Sequence, residues 1–148
     1  MAGPRGTIAL LMEAPPQPIS TPYQLMGNSE ALVRAIVATF YQHMALAEPD
    51  LAKTHQLDAA GFITDRTQLR FANFLIEWLG GPQLFTPDNG HPRLRMRHAH
   101  VAINSAMRDA WLRCMNHAMD QHGVSGDVRS FLNSRLSDLA DFLRNRPD

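Results

Sequence analysis

Along four stretches of this chain, apolar residues return every three or four positions. The first begins at Asn28, a helix-capping residue type followed by Glu30, and runs through Leu32, Ile36, Val37, Phe40 and Met44 to about Ala47. That spacing puts all five apolar side chains on one face of a helix. A second helix opens at Thr64 or Asp65 and carries Phe71, Phe74, Leu75 and Trp78. Gly80-Gly81 stops it and Pro82 forbids its continuation. Ile103, Met107, Ala110, Trp111, Cys114, Met115, Ala118 and Met119 predict a third helix, capped at Gly123. The fourth spans about Asp127 to Arg144, with Val128, Phe131, Leu132, Leu136, Leu139 and Leu143 on one face.

Between these stretches the pattern breaks. Pro49, flanked by Glu48 and Asp50, opens a short irregular or helical connection through Leu57. Residues 82–92 hold three prolines and Gly90 and predict a loop, with a short helical piece from Pro92 through His98. No segment alternates as a strand would, and no repeat is present, so the fold class is all-α.

Length and composition narrow the picture. A chain of 148 residues, 45% of them hydrophobic, amounts to one domain with room for both a core and a ligand. Residues 1–19 contain Pro4, Pro15, Pro16 and Pro18 without apolar periodicity and are expected to form a flexible extension, leaving 20–148 as a single domain. The Thr7–Met12 run is too short for a secretory core, and no run approaches the roughly 20 apolar residues of a membrane span. Fourteen basic residues balance fourteen acidic ones, which argues against nucleic acid or an anionic membrane as partner. Cys114 is the only cysteine, so an intrachain disulfide is impossible and a cytoplasmic setting is expected.

Local charge is less even. No acid lies between Asp88 and Asp109, whereas Arg93, Arg95, Arg97 and Arg108 do, beside His91, His98 and His100. That stretch suits an anion. His98 follows three alternating arginines on a segment fixed by Pro92, a setting that can hold an imidazole against an anionic cofactor. Trp111, thirteen residues on, carries an indole N–H that needs an acceptor if buried. Tyr41 points about 100° away from Phe40 around the first helix, toward a cavity rather than into helix packing. On spacing alone each of these residues also fits ordinary packing or a solvated face. His43, His117 and His122 are expected at the surface.

The text Phe74-Leu75, Gly80-Gly81-Pro82, Gly90-His91-Pro92-Arg93-Leu94-Arg95-Met96-Arg97-His98-Ala99 and Arg108 through Met115 resembles the truncated haemoglobins of group II, as do Thr39-Phe40-Tyr41 and Pro22-Tyr23 with Gly27. The resemblance extends from roughly Pro22 to Leu143. It implies a truncated globin, a two-over-two helical sandwich around one haem b, with His98 as the iron ligand. Tyr41, Trp111 and, as a third donor, His55 match positions beside the bound gas. Thr67, Phe71 and Phe74 match the roof of the haem, and Phe85, Leu94, Met96 and Val101 its walls. His91, Arg93 and Arg97 match possible partners of the propionates. Three departures stand out. Asn28 replaces a glycine after Gly27, Phe85 replaces the usual tyrosine, and His100-Val101 replaces Pro-Phe after Ala99.

The function so implied is binding of dioxygen or another diatomic gas on ferrous iron, in a monomer or homodimer. One alternative is redox turnover, as a nitric oxide dioxygenase or a peroxidase-like enzyme. It would require a separate reductase, because no glycine-rich nucleotide-binding turn is present. The other alternative is a haem-free helical interaction domain in which His98 and Trp111 merely pack.

Overall fold

The computed structural model describes residues 20–148, and the predicted extension at 1–19 lies outside them. The described residues form eight helices: α1 (Pro22–Leu25), α2 (Glu30–Ala47), α3 (Pro49–Ala52), α4 (Asp65–Trp78), α5 (Thr86–Asn89), α6 (Leu94–Arg97), α7 (Ser105–Gln121) and α8 (Gly126–Phe142). The four long helices are those the apolar periodicity predicts, and their ends follow local chemistry. Asn28 takes a left-handed conformation (φ 53°), the role its glycine-like position asks of it. The cap of α2 therefore falls one residue later than the sequence pattern suggests, at Ser29, whose Oγ accepts from Leu32 N at 3.0 Å. Thr64 caps α4 in the same way. Within the expected loop at 82–92, the Glu77 carboxylate accepts from the backbone of Phe85 and Thr86, tying this segment to α4 and starting α5.

Packing builds two layers. α2 lies against α7 and α4, and α8 packs on α7, so the α2–α4 pair covers the α7–α8 pair. Phe40, Met44, Val33, Val37, Ile76, Met115 and Cys114 are the largest fully buried side chains among the described residues. α1 closes one end. Tyr23 N donates to the Leu79 carbonyl at 3.0 Å, and Gly80 (φ 99°) passes so near Thr21 that a Cβ there would sit 2.6 Å from the Thr21 Cβ. Only glycine combines that backbone conformation with that approach. Among the described residues no helix is long and apolar enough to cross a membrane.

Polar rungs lace α2 to α7 along one side. Arg113 donates to both Glu48 oxygens, at 2.8 and 3.0 Å, and Thr39 Oγ1 shares a 2.8 Å hydrogen bond with His122 Nε2. Between these rungs, the His43 and His117 rings stack with centroids 3.8 Å apart and planes 14° from parallel. Three histidines expected at the open surface are thus half-buried interhelical contacts.

Burial and the adjacent His117 hold the His43 imidazole below its ordinary pKa, while Glu48 works in the opposite direction. A base harder to protonate when folded binds more protons when unfolded. Stability should therefore fall as pH drops below about 6.5, the unfolded value, toward the depressed folded one. His43→Gln is expected to flatten that loss in urea midpoints measured from about pH 7.5 to 5.5. An unchanged slope would show that the stack carries no proton linkage.

Candidate functional site

A cavity of about 500 Å³ opens between α2, the turn after α3, α4, α6, α7 and α8. It reaches the size of sites that hold organic cofactors. Its lining unites Tyr41, His55, Thr67, Phe71, Phe74, Phe85, Leu94, Arg97, His98, Val101 and Trp111, all singled out from sequence.

His98 caps the four-residue α6. Its Nδ1 lies 2.7 Å from the Leu94 carbonyl, the same oxygen that accepts the His98 backbone N–H at 3.0 Å. A carbonyl can only accept, so Nδ1 carries a proton, and in the neutral ring Nε2 is left with its lone pair. A half-buried imidazole on the cavity wall, held at one nitrogen and basic at the other, is equipped to ligate a metal. Among the described residues no group of three or more His, Cys, Asp or Glu could hold a bare cation.

Across the cavity stand the groups positioned by α2 and α7. Tyr41 is 5% exposed, and burial pushes its phenol pKa well above the ordinary value, so the hydroxyl stays protonated and able to donate. Phe40 packs edge-on against both Tyr41 (centroids 4.9 Å) and Trp111 (5.4 Å), and thereby holds both polar rings in place. Neither the phenol nor the indole N–H meets a hydrogen-bond partner among the described residues, although both line the cavity.

His55 joins them through an edge-on contact with the Tyr41 ring at 5.6 Å. Its Nδ1 lies 3.0 Å from the Leu51 carbonyl and so bears the proton. Burial, the largest influence, lowers its pKa, with nearby His98 acting in the same direction and the Leu51 and Ala52 backbone opposing. In that tautomer the neutral ring presents Nε2 as an acceptor.

Phe71 and Phe74 stack along α4 with centroids 6.4 Å apart, and Phe85 meets Phe74 edge-on at 5.7 Å. These rings make a wall that disfavours water. Thr67 is bonded to the capping Thr64 hydroxyl at 3.1 Å and leaves a small side chain at that point of the lining.

Three expected contacts lie off the cavity. Met96 is 60% exposed, because α6 is one turn long and its outer side faces solvent. Arg93 sits before α6 in a left-handed conformation (φ 48°), and its backbone N–H donates to His91 Nδ1 at 3.1 Å. That local turn occupies both residues outside the lining. Arg97 does reach the cavity, braced by the Pro92 carbonyl at 2.6 Å and the Asn89 carbonyl at 3.2 Å.

Sequence reasoning also missed cavity residues. Arg70 lines the cavity, and its spacing from Thr67, Phe71 and Phe74 on one stripe of α4 was a usable signal. Arg108 lies there too, engaged by Asp141 at 2.8 Å and Asp109 at 3.1 Å. His100 lines the same cavity as His98, because α6 ends at Arg97 and the chain turns beyond it. Leu139, Ala140 and Leu143 complete an apolar floor from α8 and the residue after it.

A family model described as bacterial-like globin matches residues 21–145. The group 2 truncated hemoglobin YjbI of Bacillus subtilis (strain 168) is 37% identical over 134 residues, covering 89% of this chain and 94% of that protein. Among solved structures, the group II truncated hemoglobin from Bacillus anthracis matches with a TM-score of 0.79 at 37% identity, over 90% of this chain and 96% of that one. A structure described as a truncated oxygen-avid haemoglobin from Bacillus subtilis gives a TM-score of 0.75 at 38% identity, over 85% of this chain and 100% of that one. The layered helices, the histidine that caps α6 and these likenesses agree, and the chain belongs to the bacterial-like globin family as a group II truncated haemoglobin.

Proposed function

We propose that this protein holds haem b through His98 and binds dioxygen reversibly in the ferrous state, with Tyr41 and Trp111 donating hydrogen bonds to the gas. The observation that carries this reading is the proton placement in the cavity. His98 offers an unprotonated Nε2, while a phenol and an indole offer polar hydrogens without a protein acceptor. The lining fits the group: phenylalanine and aliphatic side chains suit a flat apolar macrocycle, and Arg70 and Arg97 supply cations for its two carboxylates. When bound, the haem supplies an open iron position at which a diatomic molecule can sit.

The chain supplies the rest. Leu94 O orients the His98 ring and strengthens its Nε2 as a donor of electron density. Phe71, Phe74 and Phe85 keep water from competing for the Tyr41 and Trp111 protons. In such a dry site each hydrogen bond contributes about 1–3 kcal/mol, enough to slow ligand escape roughly tenfold to a hundredfold. The oxygen avidity ascribed to the Bacillus subtilis relative is consistent with retention of this kind. A cytoplasmic setting is supported by the single, buried Cys114 thiol.

Peroxide turnover is a second reading, favoured by His55. Its neutral Nε2 can take a proton from an entering hydroperoxide, which neither Tyr41 nor Trp111 can do. His55→Leu should slow peroxide consumption by the haem-loaded protein at least about tenfold while leaving carbon monoxide binding intact. Equal consumption by the two proteins would remove His55 from that chemistry.

His98→Gly is expected to lose haem during gel filtration, with added imidazole restoring the parent visible spectrum. Full retention without imidazole would refute the ligand assignment. In stopped-flow measurements Trp111→Phe should raise the oxygen dissociation rate about tenfold to a hundredfold. An unaltered rate would show that the indole does not hold the gas.

A further inference from the structure

The segment leading into His98 carries an exposed cationic patch that lies outside the cavity lining. Arg93 and Arg95 stand on either side of Leu94, and neither meets a carboxylate among the described residues. By contrast Arg34, Arg108, Arg113, Arg129 and Arg144 each do. The Arg95 guanidinium lies 4.1 Å above the Phe142 ring and donates to the Phe142 carbonyl at 3.0 Å, so its charge is placed over α8 without being neutralised. Asp141, the nearby acid, is already engaged by Arg108 and Arg144. Within this cationic rim, Met96 is 60% exposed and Phe142 48%. Asp138, one turn before Phe142 on α8, is exposed and without an ion pair among the described residues, so the charge of one sign lies on the α6 side, around Met96.

The position of the patch defines its partner. Leu94, between the two arginines, gives its carbonyl to His98 Nδ1 at 2.7 Å. A protein seated on Arg93, Arg95 and Met96 is therefore one peptide unit and one hydrogen bond from the proximal imidazole. A haem that binds oxygen as ferrous iron must be re-reduced whenever it oxidises. This chain has no nucleotide-binding turn, and its one thiol is buried. The electron must come from outside.

We propose that Arg93, Arg95, Met96 and Phe142 form the docking face for an acidic one-electron carrier protein. The carrier loses one electron and the ferric iron gains it, and no bond forms or breaks in the chain. This proposal rests on the haem-binding function given above.

The test uses hemin-loaded protein and flavodoxin as the acidic probe. Binding of oxidised flavodoxin is followed by calorimetry, and reduction by its hydroquinone by stopped flow, at low and high salt. The double variant Arg93→Glu/Met96→Glu should weaken binding and slow second-order reduction about tenfold at low salt, and lose the steep salt dependence of the parent. Arg135→Glu, between the Trp78 and Phe131 rings, should stay within about twofold of the parent, as expected for a charge outside the contact. Equal affinity and rate in the double variant and the parent would overturn the proposal, as would an equal loss in Arg135→Glu. Carbonyl spectra taken first separate the two claims. A chain that takes up no hemin refutes the function and the docking face together, whereas normal spectra with unresponsive rates refute the docking face alone.

Discussion

One carbonyl oxygen, that of Leu94, sets the chemistry of the cavity. It accepts both the backbone N–H and the imidazole Nδ1–H of His98, so it fixes the ring's tautomer and its orientation at once. His98 lies four residues beyond Leu94, so the closing helical hydrogen bond of α6 and the imidazole both end on that oxygen. Arg93, left-handed and bonded to His91, starts the helix where it must, and the turn after Arg97 ends it. A local backbone event thus decides which nitrogen of one histidine remains available to a metal.

The opposite side of the cavity depends on a different kind of constraint. Tyr41 and Trp111 lie on α2 and α7, whose contact is the most extensive in the fold. Phe40, fully buried, touches both rings and Phe71 as well. Dense packing leaves such rings little freedom, so the two polar hydrogens are held in place before any ligand arrives. The Glu48–Arg113 pair and the His43–His117 stack lace the same two helices outside the cavity.

Much of this was legible in the sequence because helix periodicity and terminal signals act locally. Thr64, Gly80 and the stripe from Leu32 to Met44 needed no tertiary information. The left-handed Asn28 was foreseeable for the same reason. Met96 was misplaced because matching along a motif says which residues adjoin the cavity, not which side of a one-turn helix faces out. His55 lay within reach of sequence matching, yet the tautomer of its ring follows from a hydrogen bond to Leu51 that no spacing reveals. Arg70 shares a stripe with Thr67 and Phe74, but spacing alone does not separate an arginine that lines a cavity from one on a solvated face. The pairing of His43 with His117 joins residues 74 apart in number and required the fold itself.

The most direct measurement is a crystal structure of the chain after titration with hemin. The account predicts one haem per chain, with iron bound by His98 Nε2 and the Leu94 carbonyl still holding Nδ1. Iron bound by His100, His55 or any other side chain, or a cavity that stays empty in the presence of excess hemin, would contradict it.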